Sequence, residues 1–168
     1  MQNAPIPRNE KKRLASLHSL GLLDTAPEER FDRITRVACI VFRVPISTLT
    51  LVDETREWFK SCQGLPGREE DRAISFCGHA LFAVDVLVVP DTKKDKRFFD
   101  NPMVVGKPHI RFYAGVPVMS VDGEPVGVLC IKDTKPRKFS KDDEEVLMGL
   151  AEWAGMELKA VDLKKKGK

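Results

Sequence analysis

Ser75-Phe-Cys-Gly-His79 gathers a hydroxyl, a thiol and an imidazole within five residues. Cysteine and histidine two apart can serve as polar groups of a pocket, or as ligands to a metal or haem iron. Two such residues do not close a metal site, and both can equally support the start of a helix. A second group alternates: His109, Arg111 and Tyr113 fall on one side of a strand, with Ile110 and Phe112 on the other. The guanidinium of Arg111 suits an anionic ligand because its planar fork matches phosphate and carboxylate. It can instead pair with Asp91 or Asp95 and pin the long polar segment that carries them. Trp58, Phe98, Phe112 and Tyr113 offer rings for a flat ligand, although such rings more often belong to plain core.

These groups need a scaffold, and the apolar spacing supplies one. Leu14 and Leu17, flanked by Lys11, Lys12 and Arg13, predict a short amphipathic helix that stops near Gly21. Pro27 with Glu28 and Glu29 opens a second helix, whose Phe31, Ile34, Val37, Ala38, Val41 and Phe42 recur at helical spacing up to Pro45. The period then changes to two. Strands are predicted over Ile46–Val52, Trp58–Cys62, Val86–Val89, Ile110–Met119 and Val126–Lys132. A loop covers Gly64–Arg72, a short helix Phe76–Val84, and an irregular segment Asp91–His109 with a helical turn at Phe98-Phe99. Asp122-Gly123 predicts a type I′ hairpin, in which both central residues take positive φ. Ser140, with Asp142, Asp143 and Glu144 behind it, caps a last long helix. That helix carries one seam at Leu147, Ala151, Ala154, Leu158 and Val161 and more apolar residues opposite, at Val146, Leu150 and Trp153. The order of elements gives an α+β domain with a mainly antiparallel sheet, helices from both chain ends on one face and a pocket on the other.

Composition narrows the function classes. At 168 residues with 42% hydrophobic and 32% charged, one core is expected. The net charge of +3 resides in the tail, because Lys164, Lys165, Lys166 and Lys168 outweigh it and leave a near-neutral body. A nucleic-acid partner is therefore not expected. No apolar run approaches the roughly 20 residues of a membrane span, and the start of the chain lacks a signal-peptide profile, so a cytoplasmic location without membrane contact is expected. Cys39, Cys62, Cys77 and Cys130 make no Cys-x-x-Cys pair and should be reduced, Cys39 and Cys130 as small core residues.

Four runs of the chain resemble the GAF domains at the N-terminal end of bacterial sensor histidine kinases and diguanylate cyclases. They are Leu20-Gly-Leu-Leu-Asp-Thr-Ala-Pro-Glu-Glu-Arg-Phe-Asp32, Val52-Asp-Glu-Thr-Arg-Glu-Trp-Phe-Lys-Ser61, Ile74-Ser-Phe-Cys-Gly-His-Ala80 with the later Val88–Asp91, Asp95–Phe98 and Asn101-Pro102, and Pro108–Pro117 with Gly127–Ile131. The resemblance spans about residues 10–160, leaving 1–9 as a disordered N-terminus and 162–168 as a basic tail around a 10–161 sensory domain. It implies a GAF (PAS/profilin-like) fold with a six-stranded antiparallel sheet, a ligand pocket, and terminal helices that form a homodimer and relay a signal to a covalently linked or separate kinase or cyclase.

The expected function is a regulatory module, not an enzyme, that binds a non-covalent small molecule, with a cyclic nucleotide or similar anionic metabolite as the best guess. Neither a cofactor nor a metal is expected. Its ligand-binding residues would come from Trp58, Ser75, Cys77, His79, Asp91, Asp95, Phe98, His109, Arg111, Phe112 and Tyr113. Relatives that attach a bilin use a cysteine where this chain reads Gly106-Lys-Pro-His-Ile-Arg111, so a covalent bilin is not expected. Free methionine-R-sulfoxide reductases need a second pocket cysteine that Asp91–His109 does not supply. Of the Asn-Lys…Phe…Asp-Glu motif of cyclic-nucleotide binders, Phe139, Asp143 and Glu144 are present while Lys132-Asp133 stands for Asn-Lys. The alternatives are a dimerisation module with no ligand and such a reductase.

Overall fold

Pro45 marks the switch from helix to sheet. In the computed structural model, whose described residues are 1–167, helix α1 runs over Glu10–Ser19 and α2 over Glu29–Phe42. The strands are β1 (Ile46–Val52), β2 (Arg56–Gln63), β3 (Glu69–Asp71), β4 (Leu87–Val89), β5 (Phe112–Met119) and β6 (Pro125–Asp133). Two short helices, α3 (Phe76–Ala80) and α4 (Pro102–Val105), precede the long α5 (Lys141–Lys166). The strands form one antiparallel sheet in the order β3-β2-β1-β6-β5-β4.

The strands β1, β5 and β6 divide their apolar side chains between two cores. Leu49, Leu51, Trp58, Phe112, Ala114, Val116, Leu129 and Ile131 meet the long helices. Val52, Tyr113, Val128 and Cys130 meet α3 and the Asp91–Ile110 segment. On α2 the inward stripe is Phe31, Ile34, Thr35, Ala38 and Phe42, whereas Val41 is exposed. The Leu147, Ala151, Ala154 and Leu158 seam of α5 is buried in the helix-side core, and Val146 is exposed. The seam therefore packs within the domain. Val161, with the Lys165, Lys166 and Lys168 side chains of the expected basic tail, lies outside the described side chains, although the helix backbone continues through Lys166.

Several expectations change in detail. The Gly64–Arg72 loop contains the three-residue edge strand β3, too short and charged to show a period. The Asp122-Gly123 turn places only Gly123 at positive φ (78°), and the Gly123 amide donates to Ser120 O at 3.1 Å. This is a longer hairpin loop with glycine in the left-handed position, not a type I′ turn. Within the 1–9 stretch expected to be disordered, two backbone amides bond to the domain: that of Gln2 donates to Arg97 O and that of Ala4 to Ala73 O, both at 3.1 Å. A Cβ on Gly78 would come within 2.5 Å of Ala4 Cβ, so this close approach requires glycine in α3.

Among the described residues no helix is long and apolar enough to cross a membrane.

Candidate functional site on the inner sheet face

Alternation in β2 and β6 puts two charged residues into the core beneath α3. Glu57 and Lys132 are both fully buried. The Ser75 hydroxyl donates to Glu57 Oε2 and accepts the Gly78 amide at 2.8 Å, so one side chain both caps α3 and holds a carboxylate. Glu57 Oε1 and Lys132 Nζ have no hydrogen-bond partner. Burial raises the Glu57 carboxyl above the usual range, an effect that the nearby Lys132 charge opposes. Burial alone would lower Lys132; the negative charge of Cys130 and Glu57 outweighs it and holds the ammonium above its ordinary value.

A second buried lysine gives the contrast. Lys60, also fully buried, sits at the β-bulge of β2 and donates to Thr25 Oγ1 and Ala26 O at 2.8 Å. It pairs with Glu28 at 2.6 Å and lies 5.6 Å from the centroid of Phe31. Lys132 Nζ makes no such bond; the Phe59 and Phe76 ring centroids lie 5.9 and 6.0 Å from it, and its support is the charge of Cys130 and Glu57. Burying an ammonium without a compensating acceptor costs several kcal/mol.

Sulfur and aromatic groups complete the cluster. Cys77 Sγ lies 3.8 Å from Cys130 Sγ, the Tyr113 hydroxyl donates to Cys77 Sγ at 3.4 Å, and Thr48 Oγ1 is 3.1 Å from Cys130 Sγ. Phe76 stacks on Phe98 at 4.4 Å and on Tyr113 at 5.2 Å, so rings of the chain itself occupy the middle of the expected pocket. Open clefts lie elsewhere, among them one of about 370 Å³ that borders Asp32, Lys60, Gln63 and Arg68, and one of about 260 Å³ between β5 and α5.

The eleven residues proposed from sequence separate into four groups. Ser75, Cys77, Phe98 and Tyr113 converge on this cluster, and His79 borders it, its ring edge-on to Phe98 at 4.9 Å and its Nε2 3.1 Å from Gln2 O. Burial lowers the His79 imidazole below its ordinary value. Arg111 is engaged by Asp91 through three hydrogen bonds of 3.0–3.1 Å, which leaves its fork filled. Asp95 pairs with Arg97 at 2.6 Å within its own loop, and His109 is exposed at φ 61°, before β5 begins. The expected alternation of His109 with Tyr113 therefore fails, because extended pairing starts only near Arg111. Trp58 and Phe112 point into the helix-side core, where Phe112 packs 5.5 Å from Phe139. These two cannot line a pocket on the opposite face.

Glu57, Lys132, Cys130 and Phe76 were missed. The signal was present: Lys132 follows Val128 and Cys130 at a period of two in a strand otherwise apolar, and Glu57 precedes Trp58-Phe59. Among the described residues no three metal-ligating side chains come together.

The far wall depends on Asn101, which is 1% exposed. Its Oδ1 accepts the Met103 amide at 2.9 Å, capping α4, and its Nδ2 donates to Ile74 O at 2.7 Å. Asn101→Ala removes a cap and leaves the half-buried Ile74 carbonyl without its donor, so urea unfolding should show a loss of about 2 kcal/mol. A loss under about 0.5 kcal/mol would mean that α4 is held by packing alone.

Comparisons with known proteins agree with this architecture. A cyclic di-GMP phosphodiesterase of Pseudomonas aeruginosa is 40% identical over 137 residues, covering 82% of this chain; the match spans only 23% of that relative's length. The GAF domain of an Acinetobacter phosphoenolpyruvate-protein phosphotransferase superposes with a TM-score of 0.62 at 19% identity, covering 93% of this chain and 96% of that one. Free methionine-R-sulfoxide reductase of Neisseria meningitidis, solved with its substrate, gives a TM-score of 0.65 at 17% identity over 98% and 99% of the two chains. At these identities the two structures speak for the fold alone. A family model described as GAF domain matches residues 26–158, most of the chain, and on that match together with the six-stranded sheet and its helices the chain belongs to the GAF domain family.

Proposed function

We propose that this domain is a small-molecule-sensing regulatory module, and that its ligand binds between Glu57 and Lys132 on the inner sheet face. One observation carries the reading: a fully buried ammonium and a fully buried carboxylate oxygen lack partners in a protein that gives Lys60 a full set. An anionic group accepting from Lys132 Nζ, with a donor facing Glu57 Oε1, would satisfy both. A cyclic nucleotide or a similar anionic metabolite fits that charge pattern, with Lys132 in the role first given to Arg111. Entry requires the Phe76, Phe98 and Tyr113 rings to part, which favours small ligands. The signal would leave through α5 and α1 to an effector. The similarity to a cyclic di-GMP phosphodiesterase makes an enzyme of nucleotide second messengers the first effector to test.

Calorimetry against 3′,5′-cyclic adenosine and guanosine monophosphates, cyclic di-GMP, phosphate esters and small dicarboxylates tests the reading. At least one should bind more tightly than about 1 mM and lose at least tenfold in affinity in Lys132→Met. Binding by none of them, or binding unaffected by Lys132→Met, would refute it. The stacked rings that fill the face favour a second reading, a homodimerisation module without ligand. Light scattering that finds a dimer in a chain inert to the whole panel would support it.

A further inference from the structure

Two thiols of the inner cluster approach each other closely enough for covalent chemistry, and neither the ligand reading nor the fold makes use of that. We propose that Cys77 and Cys130 form a reversible intramolecular disulfide when the domain meets a hydroperoxide. The sulfurs are 3.8 Å apart, one on α3 and one on β6, and the bond requires them to close to about 2.05 Å. Both side chains are fully buried and face no other cysteine at comparable distance among the hydrogen-bonded sulfurs: the Cys62 thiol donates instead to Leu65 O at 3.8 Å.

The surroundings divide the labour between the pair. Burial raises both thiols, but at Cys130 the hydrogen bond from Cys77, the Lys132 charge and Thr48 outweigh it and bring the thiol down to about 7. Cys77 stays protonated, pushed up by burial and by the charge of Cys130 and Glu57. Cys39, though more accessible, is pushed up to about 11 by burial and is a poor nucleophile. Cys130 is thus the attacking sulfur. Its thiolate takes the distal oxygen of hydrogen peroxide; the O–O bond breaks, and the departing hydroxide gains a proton to become water. The sulfenic acid formed on Cys130 is then attacked by the Cys77 sulfur, which gives up its proton as the S–O bond breaks and the second water leaves. Two thiols and one peroxide become one disulfide and two waters. A dithiol reductant reverses the exchange.

The bond would staple α3 to the centre of the sheet, beside the Ser75 cap and the rings that must part for a ligand. The test needs no ligand, so its outcome is separate from that of the proposed binding function. Reduced, desalted protein is treated with a small excess of hydrogen peroxide, denatured, alkylated and mapped without reductant. The expected result is loss of two hydrogens in the intact mass, two of the four cysteines protected from alkylation, and one cross-linked peptide joining Cys77 to Cys130. Dithiothreitol restores all alkylation. Cys77→Ala should stop at a sulfenic acid on Cys130 that a dimedone probe traps, and Cys130→Ala should give neither product. Full alkylation after peroxide, or a cross-link through Cys39 or Cys62, overturns the proposal, and the mapping of the unmodified protein decides it even where a variant fails to fold.

Discussion

Lys132→Met is expected to stabilise the ligand-free domain by about 1–3 kcal/mol, the opposite of what truncating a buried lysine usually does. The sign follows from the environment. The Nζ of Lys132 has no hydrogen-bond partner, and the attraction of Cys130 and Glu57 is what holds its charge; once the ammonium is gone both buried groups take up a proton, so no charge is stranded, and a methionine fills a similar volume with a flexible apolar chain. Glu57 keeps its bond from Ser75. Lys60→Met provides the internal contrast: it removes bonds to Thr25 and Ala26 and the ion pair with Glu28, and should cost about 2 kcal/mol. Guanidinium unfolding of both variants reads the two signs. A Lys132→Met protein less stable than the parent by more than about 1 kcal/mol would show that the ammonium is fully paired in place, and would count against an anion-binding role for it.

Glu10→Ala should destabilise the domain by about 3 kcal/mol, lowering the thermal midpoint by about 6–12 °C. Glu10 receives two hydrogen bonds of 2.8 Å from Arg13 and a further one from Arg72, and both arginines are buried. Arg72 also donates to Asp53 O at 2.9 Å, so this carboxylate ties α1 to the turn between β1 and β2. Without it, two buried guanidiniums share one lost counter-charge. Burial raises the Glu10 carboxyl, but the bonds and charges of Arg13 and Arg72 outweigh burial and hold it down at about 2. Because the folded value lies below the unfolded one of 4.5, the contribution is complete above that pH and disappears as pH falls towards about 2. In Glu10→Ala that part of the acid sensitivity should vanish. A variant within about 0.5 kcal/mol of the parent, with unchanged acid unfolding, would show that the arginines find other partners.

Regular elements were legible because their apolar spacing survives in every one longer than a few residues. The α2 stripe, the two central hairpins and the Leu147 seam follow from period alone. What period cannot give is which face of a strand looks at which layer. Trp58 and Phe112 qualify from sequence because an aromatic ring suits a flat ligand, yet one step along a strand reverses the side. For Arg111 the sequence leaves a ligand clamp open against a pair with Asp91 or Asp95, and only the distance between the segments decides for Asp91. Glu57 and Lys132 do not stand out as site residues in the sequence, since charge in a strand looks like exposure until the covering layer of α3 and the Asp91–Ile110 segment is in place.

The parity of β6 has a consequence for how such a domain can change over time. Val128, Cys130 and Lys132 face the inner cluster, while Leu129 and Ile131 face the helices that would carry output. Neighbouring codons therefore address different tasks. Under the proposed function, mutational drift at Val128, Cys130 and Lys132 would retune what is recognised while the helix seat stays intact, and drift at Leu129 and Ile131 would alter transmission without touching recognition. A single-residue insertion in this strand would exchange the two sets at once, so the length of β6 should be far less free to vary than its composition.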